Sequence, residues 1–303
     1  MTTAIGMLVK VQGKNMHIRQ MGSGEKTIVL LPGFAVPMPT VDFAPLMREL
    51  AKKHTVCTID FFGYGLSDST DTPRTNENYV EEIREALTLS GLKPPYVLMP
   101  YSCSGIYCEY YAAKYPDEVA GLILLDSSPT VEGFAKKLAL TEEGIDEMKT
   151  ALKSAYEPLK PLEEYEQAFI DAYYADYLPH GYTKEELHAQ SKAPNDVETL
   201  VAQAATLSEC VLEVMAMPIP KGLPILAFRS DWFRQLDDAE VDEDSKQSEL
   251  EEYEAYYKAH MERLGTQEEL ITIIGSTHGD IYSHCAYREL ICQKIDAFLE
   301  GTK

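Results

Sequence analysis

The chain has 303 residues, 45% of them hydrophobic, and carries 49 acidic against 27 basic side chains for a net charge of −22. That is enough apolar material for one large α/β domain, or for a core with an inserted subdomain. A surface this acidic disfavours nucleic acid and anionic membranes as partners and mainly serves solubility. No apolar run approaches the ~20 residues of a membrane span, and no basic-plus-apolar segment opens the chain. The six cysteines (Cys57, Cys103, Cys108, Cys210, Cys285, Cys292) lack metal-ligand spacing, and several lie in apolar runs as buried thiols do. These features lead us to expect a cytoplasmic protein with reduced cysteines.

Met7–Val11 and Asn15–Gln20 read as two short strands joined at Gln12-Gly13. Thr27–Leu31 is an apolar run suited to a strand buried on both faces. It ends at Pro32-Gly33-Phe34, where a glycine at the carboxyl end of a strand lets the next backbone N–H face a cleft. A helix over Asp42–Ala51 follows, with Phe43, Leu46, Met47 and Leu50 on one face. His54–Asp60 is the next strand and runs into the glycine-punctuated turn Phe61-Phe-Gly-Tyr-Gly-Leu-Ser-Asp68. Asn76–Ser90 has helical spacing at Val80, Ile83 and Leu87, closed by Gly91.

The stretch Tyr96–Pro116 reads as a buried strand, a tight turn of small residues around Ser102, and a helix that ends before Pro116. A serine on such a corner has its hydroxyl pushed out of the sheet, while the helix behind it aims N–H groups at any oxyanion formed there. Pro100, Ser104 and Gly105 make the turn a variant of G-x-S-x-G. Were Ser104 the nucleophile, Ile106 would crowd the +2 position; were it Cys103, Tyr101 would crowd −2. Ser102 fits best, with the N–H groups of Phe34 and Cys103 as oxyanion donors. The plainer alternative is a serine-rich helix cap.

Val119–Leu125 is another fully apolar strand, ending at Asp126. From Thr130 to Lys221 the character changes to acidic, Tyr- and Ala-rich helical stretches with no strand-like run. We read residues 130–221 as a helical lid, and 1–129 with 222–303 as the core domain. Met215, Met217, Tyr173, Tyr174 and Tyr177 either line a substrate pocket or form the lid's own core. The acidic runs Glu142–Glu186 and Asp237–Glu254 read as solvated helix faces. Strand character resumes at Pro224–Phe228 and Glu269–Ile274, and Tyr287, Ile291, Ile295 and Phe298 mark a closing helix. Strands alternating with helices predict a mostly parallel sheet flanked by helices, with sites at the carboxyl ends of strands, where Phe34, Asp60, Ser102 and Asp126 all fall.

Leu31-Pro-Gly-Phe34, Asp60–Asp68, Tyr101–Gly105, Tyr115–Val119, Gly121–Asp126 and Gly275-Ser-Thr-His278 together resemble the α/β-hydrolase superfamily over nearly the whole chain. The resemblance implies that fold, with the lid after its sixth strand. It also implies Ser102 as nucleophile and His278, after the last strand, as general base and then acid. For the triad acid it leaves two positions, Asp126 after the sixth strand and Asp231 after the penultimate one; Phe233 occupies the position where many members carry the acid. Tyr101 stands where a histidine often precedes the nucleophile. Tyr101 and His284 are candidate substrate contacts at the site mouth.

The function expected is a serine hydrolase of carboxylesterase type acting on a small molecule through an acyl-enzyme, with no metal or organic cofactor. Aminopeptidase, thioesterase, lactonase and carbon–carbon hydrolase activities fit the same residues, as does a non-catalytic small-molecule receptor. Because Ser102 is a serine, the aspartate-nucleophile branches (haloalkane dehalogenases and epoxide hydrolases) are disfavoured.

Overall fold

The alternation of apolar strands and amphipathic helices closes into one eight-stranded sheet. The computed structural model describes residues 5–156, 164–231, 242–266 and 270–301. The strands are β1 (Met7–Val11), β2 (Lys14–Met21), β3 (Thr27–Leu31), β4 (Thr55–Asp60), β5 (Tyr96–Pro100), β6 (Val119–Leu125), β7 (Ile225–Ser230) and β8 (Ile271–Ile273). Their spatial order is β1-β2-β4-β3-β5-β6-β7-β8. Only β1–β2 and β2–β4 pair antiparallel, and every pair from β4 to β8 is parallel. The β1–β2 hairpin turns on Gln12 and Gly13, both at positive φ, the backbone sign a tight hairpin needs.

Both faces of the parallel strands are buried, and the period-2 alternation divides them between two cores. Val29 and Leu31 of β3 point into one cluster with Ile106, Tyr107 and Tyr111, whereas Ile28 and Leu30 point into a second with Phe43, Leu46, Ile291 and Ile295. Helices cover each face: α1 (Pro39–Asp42) and α2 (Ala44–Leu50), α3 (Asn76–Leu89) and α4 (Ser104–Lys114), and α11 (Cys285–Gly301). The single helix expected over 42–51 is two, because Phe43 serves as both C-cap of α1 and N-cap of α2.

Between β6 and β7 lie α5 (Glu132–Leu138), α6 (Glu142–Tyr156), α7 (Gln167–Tyr177), α8 (Lys184–Gln190) and α9 (Val197–Met215), with no strand among the described residues. α9 packs against α4, α5 and α6. It is tied to the core by Thr206, which donates to the Arg74 carbonyl, and by Asn76, which donates to the Cys210 carbonyl. Arg74 is itself fixed by a two-pronged ion pair with Glu82, at 2.8 Å on each prong, both side chains at most 1% exposed. α10 (Glu243–Leu264) is anchored to α4 through Glu109, which accepts from His260 at 2.6 Å and also bonds Arg263.

The structure corrects one expectation and narrows two. Glu186 lies in an acidic run read as a solvated face, yet it is buried: it closes the capping box of α8 with Thr183 and pairs with Arg19 and Arg48. Met215 and Met217 pack against the main apolar cluster, which favours the core reading of the two. Asp60, at a strand end, is a structural hub: it accepts from Thr40 N, Thr40 Oγ1 and Leu66 N and contacts His17 Nδ1 at 2.8 Å. Phe233, residues 237–241 and Glu269 lie outside the described residues. No described helix is long and apolar enough to cross a membrane.

Removing one partner of the buried Arg74–Glu82 pair strands a charge in the interior. Glu82→Leu should therefore destabilise the protein by about 3–5 kcal/mol, read as a lowered urea midpoint with an unchanged slope.

Candidate active site

Ser102 sits on the corner between β5 and α4 with φ +54, a left-handed backbone that a non-glycine residue adopts only when its surroundings enforce it. Here the enforcement comes from both neighbouring strands. Tyr101 N bonds Leu31 O of β3 at 2.9 Å, and Ser102 N bonds Leu125 O of β6 at 3.3 Å. Ser128 N and Gly105 N both close on the Ser102 carbonyl. Small neighbours are required: a Cβ on Gly33 would stand 2.7 Å from Ser102 Cβ, and one on Gly105 would stand 2.8 Å from Ser127 Cβ.

His278 lies in the loop between β8 and α11, its side chain 40% exposed. Its Nε2 is 3.1 Å from Ser102 Oγ, and its Nδ1 is 2.6 Å from Asp126 Oδ2. Asp126, also at positive φ (+48), ends β6 and is 3% exposed. Burial by itself would raise its pKa, but the contact with His278 and the bonds from Ser230 outweigh it and hold the carboxyl below its ordinary value. Ser230 N donates to Oδ1 at 2.9 Å and Ser230 Oγ to Oδ2 at 2.6 Å, and Tyr257 of α10 lies 3.3 Å from Oδ1.

Asp231, the alternative acid, does other work. Its Oδ2 accepts from Gly275 N at 3.1 Å and its own N–H donates to Ser276 O, so it shapes the loop that carries His278.

Tyr101 faces the imidazole. The two rings stack at 4.9 Å and 25°, and the phenol donates to the His278 carbonyl at 2.6 Å. His284 is not among the residues lining the cavity described below; its ring packs on His180 and Tyr287. His180, His284 and Cys285 hold ligand-type atoms within 4.8 Å of one another, a grouping that sequence spacing does not show.

Burial raises the pKa of the Cys103 thiol to about 12, although the Phe34 backbone amide beside it acts in the opposite direction. Ala35, at φ +58, is held on both sides. Its N–H donates to Tyr64 Oη at 3.2 Å and its carbonyl accepts from Tyr156 of α6. Tyr64 in turn bonds Gln203 of α9, which donates to Tyr107 Oη at 3.1 Å and to Cys103 Sγ at 3.5 Å. Sequence reasoning missed Gln203. The available signal was a glutamine on the buried stripe of α9, between Leu200 and Leu207.

A cavity of about 880 Å³ opens beside this arrangement. Gly279, next after His278, lies in its wall, as does Pro37, close after Phe34. Tyr156, Tyr173 and Tyr177 of the helical segment and Tyr282 of the core line it as well. Tyr173 and Tyr177 therefore line a pocket; Tyr173 and Tyr174 both pack against a small cluster that includes Tyr182 and Leu187, and Tyr174 is not among the residues lining the cavity.

Residues 26–154 match the family model for the alpha/beta hydrolase fold. The uncharacterized protein YbdG of Bacillus subtilis is 36% identical over 144 residues, 48% of this chain and 43% of that protein. The pimeloyl-[acyl-carrier protein] methyl ester esterase of Xylella fastidiosa is 34% identical over 114 residues, 38% of this chain and 41% of that protein. The match thus spans less than half the length of each. Among solved structures, E-2-(acetamidomethylene)succinate hydrolase superposes with a TM-score of 0.67 at 18% identity, covering 98% of this chain and 99% of that one. With its sheet order, its serine corner and these matches, the chain has the α/β-hydrolase fold, and residues 26–154 are similar to that family.

Proposed function

We propose that the protein is a serine hydrolase that cleaves an ester-like bond in a small molecule through an acyl-enzyme on Ser102. The observation that carries this reading is the unbroken relay from Ser102 Oγ through His278 to Asp126, at 3.1 and 2.6 Å. His278 Nε2 takes the Ser102 proton as Oγ attacks the acyl carbon. The tetrahedral oxyanion is received by the Phe34 and Cys103 amides. As the bond to the leaving alcohol breaks, the imidazolium returns the proton to its oxygen. Water, deprotonated by the same imidazole, then attacks the acyl-enzyme and frees the acid and Ser102.

Asp126 holds the imidazole with Nδ1 protonated and stabilises the imidazolium, a role suited to a carboxyl kept ionised by Ser230 and His278. Residues 130–221 act as a lid whose tyrosines shape the acyl or alcohol pocket. The esterase name of one relative supports ester chemistry over the other bond types the triad could break.

A fluorophosphonate probe should label the intact protein, and Ser102→Ala should abolish the adduct and lower p-nitrophenyl butyrate turnover by about a million-fold. Labelling that survives the substitution overturns the assignment, and absence of labelling in the native protein favours a receptor. Asp126→Asn should lower kcat by about ten-thousand-fold with little change in KM, whereas Asp231→Asn should cost far less. Tyr101→Phe, which keeps the stacked ring and removes the bond to the His278 carbonyl, should lower kcat by roughly two- to tenfold. Steady-state kinetics on one ester series reads all three.

A further inference from the structure

The wall of the cavity beside His278 contains a carboxylate that no step of the proposed hydrolysis uses. Asp42, at the end of α1, is 8% exposed. Its Oδ2 accepts from Met38 N at 2.8 Å and its Oδ1 from Gln190 Nε2 at 2.6 Å, both uncharged donors. The charge that acts on it from β4 is another carboxylate, Asp60. Arg19 and Arg48, on the same side of the core, are both paired with Glu186. Lys192 also lines the cavity and is exposed. Burial therefore lifts the Asp42 pKa to about 7, despite the bonds it accepts.

The same cavity is lined by Tyr156, Tyr173, Tyr177, Tyr182 and Tyr282. They stay neutral, since burial raises Tyr156 and Tyr173 to about 12 and the others in the same direction. A carboxylate held by these neutral donors, in a cavity lined by electron-rich rings, is the complement of one chemical class. A substituted ammonium ion satisfies the carboxylate by charge and the rings by cation–π attraction. A neutral alkyl group of the same shape fills the volume and leaves the carboxyl desolvated without gain.

We propose that this cavity is a subsite for a substituted ammonium group carried by the substrate, with Asp42 as its counter-ion and the tyrosines as its walls. The proposal rests on the hydrolase reading for its link to turnover but not for the binding itself. Its pH signature follows from Asp42. Above about pH 7 the carboxylate is ionised and favours the cation, and as pH falls through that value it is protonated and the preference fades.

Two pairs of isosteric esters test it: butyrylcholine against 3,3-dimethylbutyl butyrate, and the p-nitrophenyl esters of 4-(trimethylammonio)butyrate and 5,5-dimethylhexanoate. The charged members carry no titrating proton, and a pH effect on the cleavage step common to both members of a pair cancels in their ratio. At pH 8 kcat/KM should favour the charged member of at least one pair by roughly tenfold. That ratio should collapse toward one below pH 6 and in Asp42→Asn. It should also fall in Tyr177→Leu, a change at a residue 38% exposed that removes one ring and keeps Asp42 in place.

A parallel titration of Ser102→Ala with phenyltrimethylammonium by calorimetry reads binding without turnover. Ester cleavage with ratios at or below one, and no Asp42-dependent heat, overturns the subsite while leaving the hydrolase intact. Asp42-dependent binding with no ester cleaved by the native protein overturns the hydrolase and upholds the subsite.

Discussion

An aspartate 3% exposed can orient an imidazole only if it stays ionised, and the structure around Asp126 is arranged to keep it so. Ser230 N and Oγ, Tyr257 Oη and His278 Nδ1 surround its two oxygens, and each comes from a different part of the chain or a different atom of it. β6 supplies the carboxylate, β7 the serine, α10 the tyrosine and the loop after β8 the histidine. Loss of any of these elements would leave a buried charge short of partners. The geometry at Ser102 is thus coupled to the packing of the whole β6–β8 edge.

The serine is constrained from the other direction. Its positive φ is set by bonds to β3 and β6, the neighbours of β5 on either side, so its hydroxyl position is dictated by sheet register and not by its own side-chain preference. Gly33 and Gly105 are consequences of the same corner, since a side chain at either would collide with it. The strain is tolerable because β3, β5 and β6 are the middle of the sheet and bury both faces. The helical segment adds a third constraint, through Gln203 and Tyr64, on the backbone at Ala35 beside the serine.

Strands buried on both faces announce themselves in sequence, and β3, β5 and β6 were legible as apolar runs within a residue of their observed bounds. The serine corner was legible from its small neighbours. The choice between Asp126 and Asp231 was not, because β6 and β7 are adjacent and an aspartate follows each. Register decides which one meets the histidine: Leu125 pairs with Phe228, and β7 continues to Ser230, two residues beyond the expected end. That extension brings Ser230 alongside Asp126 and carries Asp231 onward to Gly275. Local pattern does not contain an interstrand offset. The burial of Glu186 was hidden for a similar reason, since its partners Arg19 and Arg48 lie more than a hundred residues away.

Asp126 and Asp42 offer a controlled contrast. Both are buried aspartates, Asp126 directly after β6 and Asp42 at the end of α1, and burial pushes both carboxyls upward. Asp126 falls below its ordinary value because a histidine and two donors from Ser230 stabilise the anion. Asp42 rises to about 7 because its two donors are neutral and a second carboxylate, Asp60, opposes it. Environment, not residue type, therefore separates one group committed to its charge from one whose charge depends on what enters the cavity. A carboxyl poised in this way gains most from an occupant that brings the missing positive charge, which ties pocket selectivity to the same burial that makes the group expensive to keep.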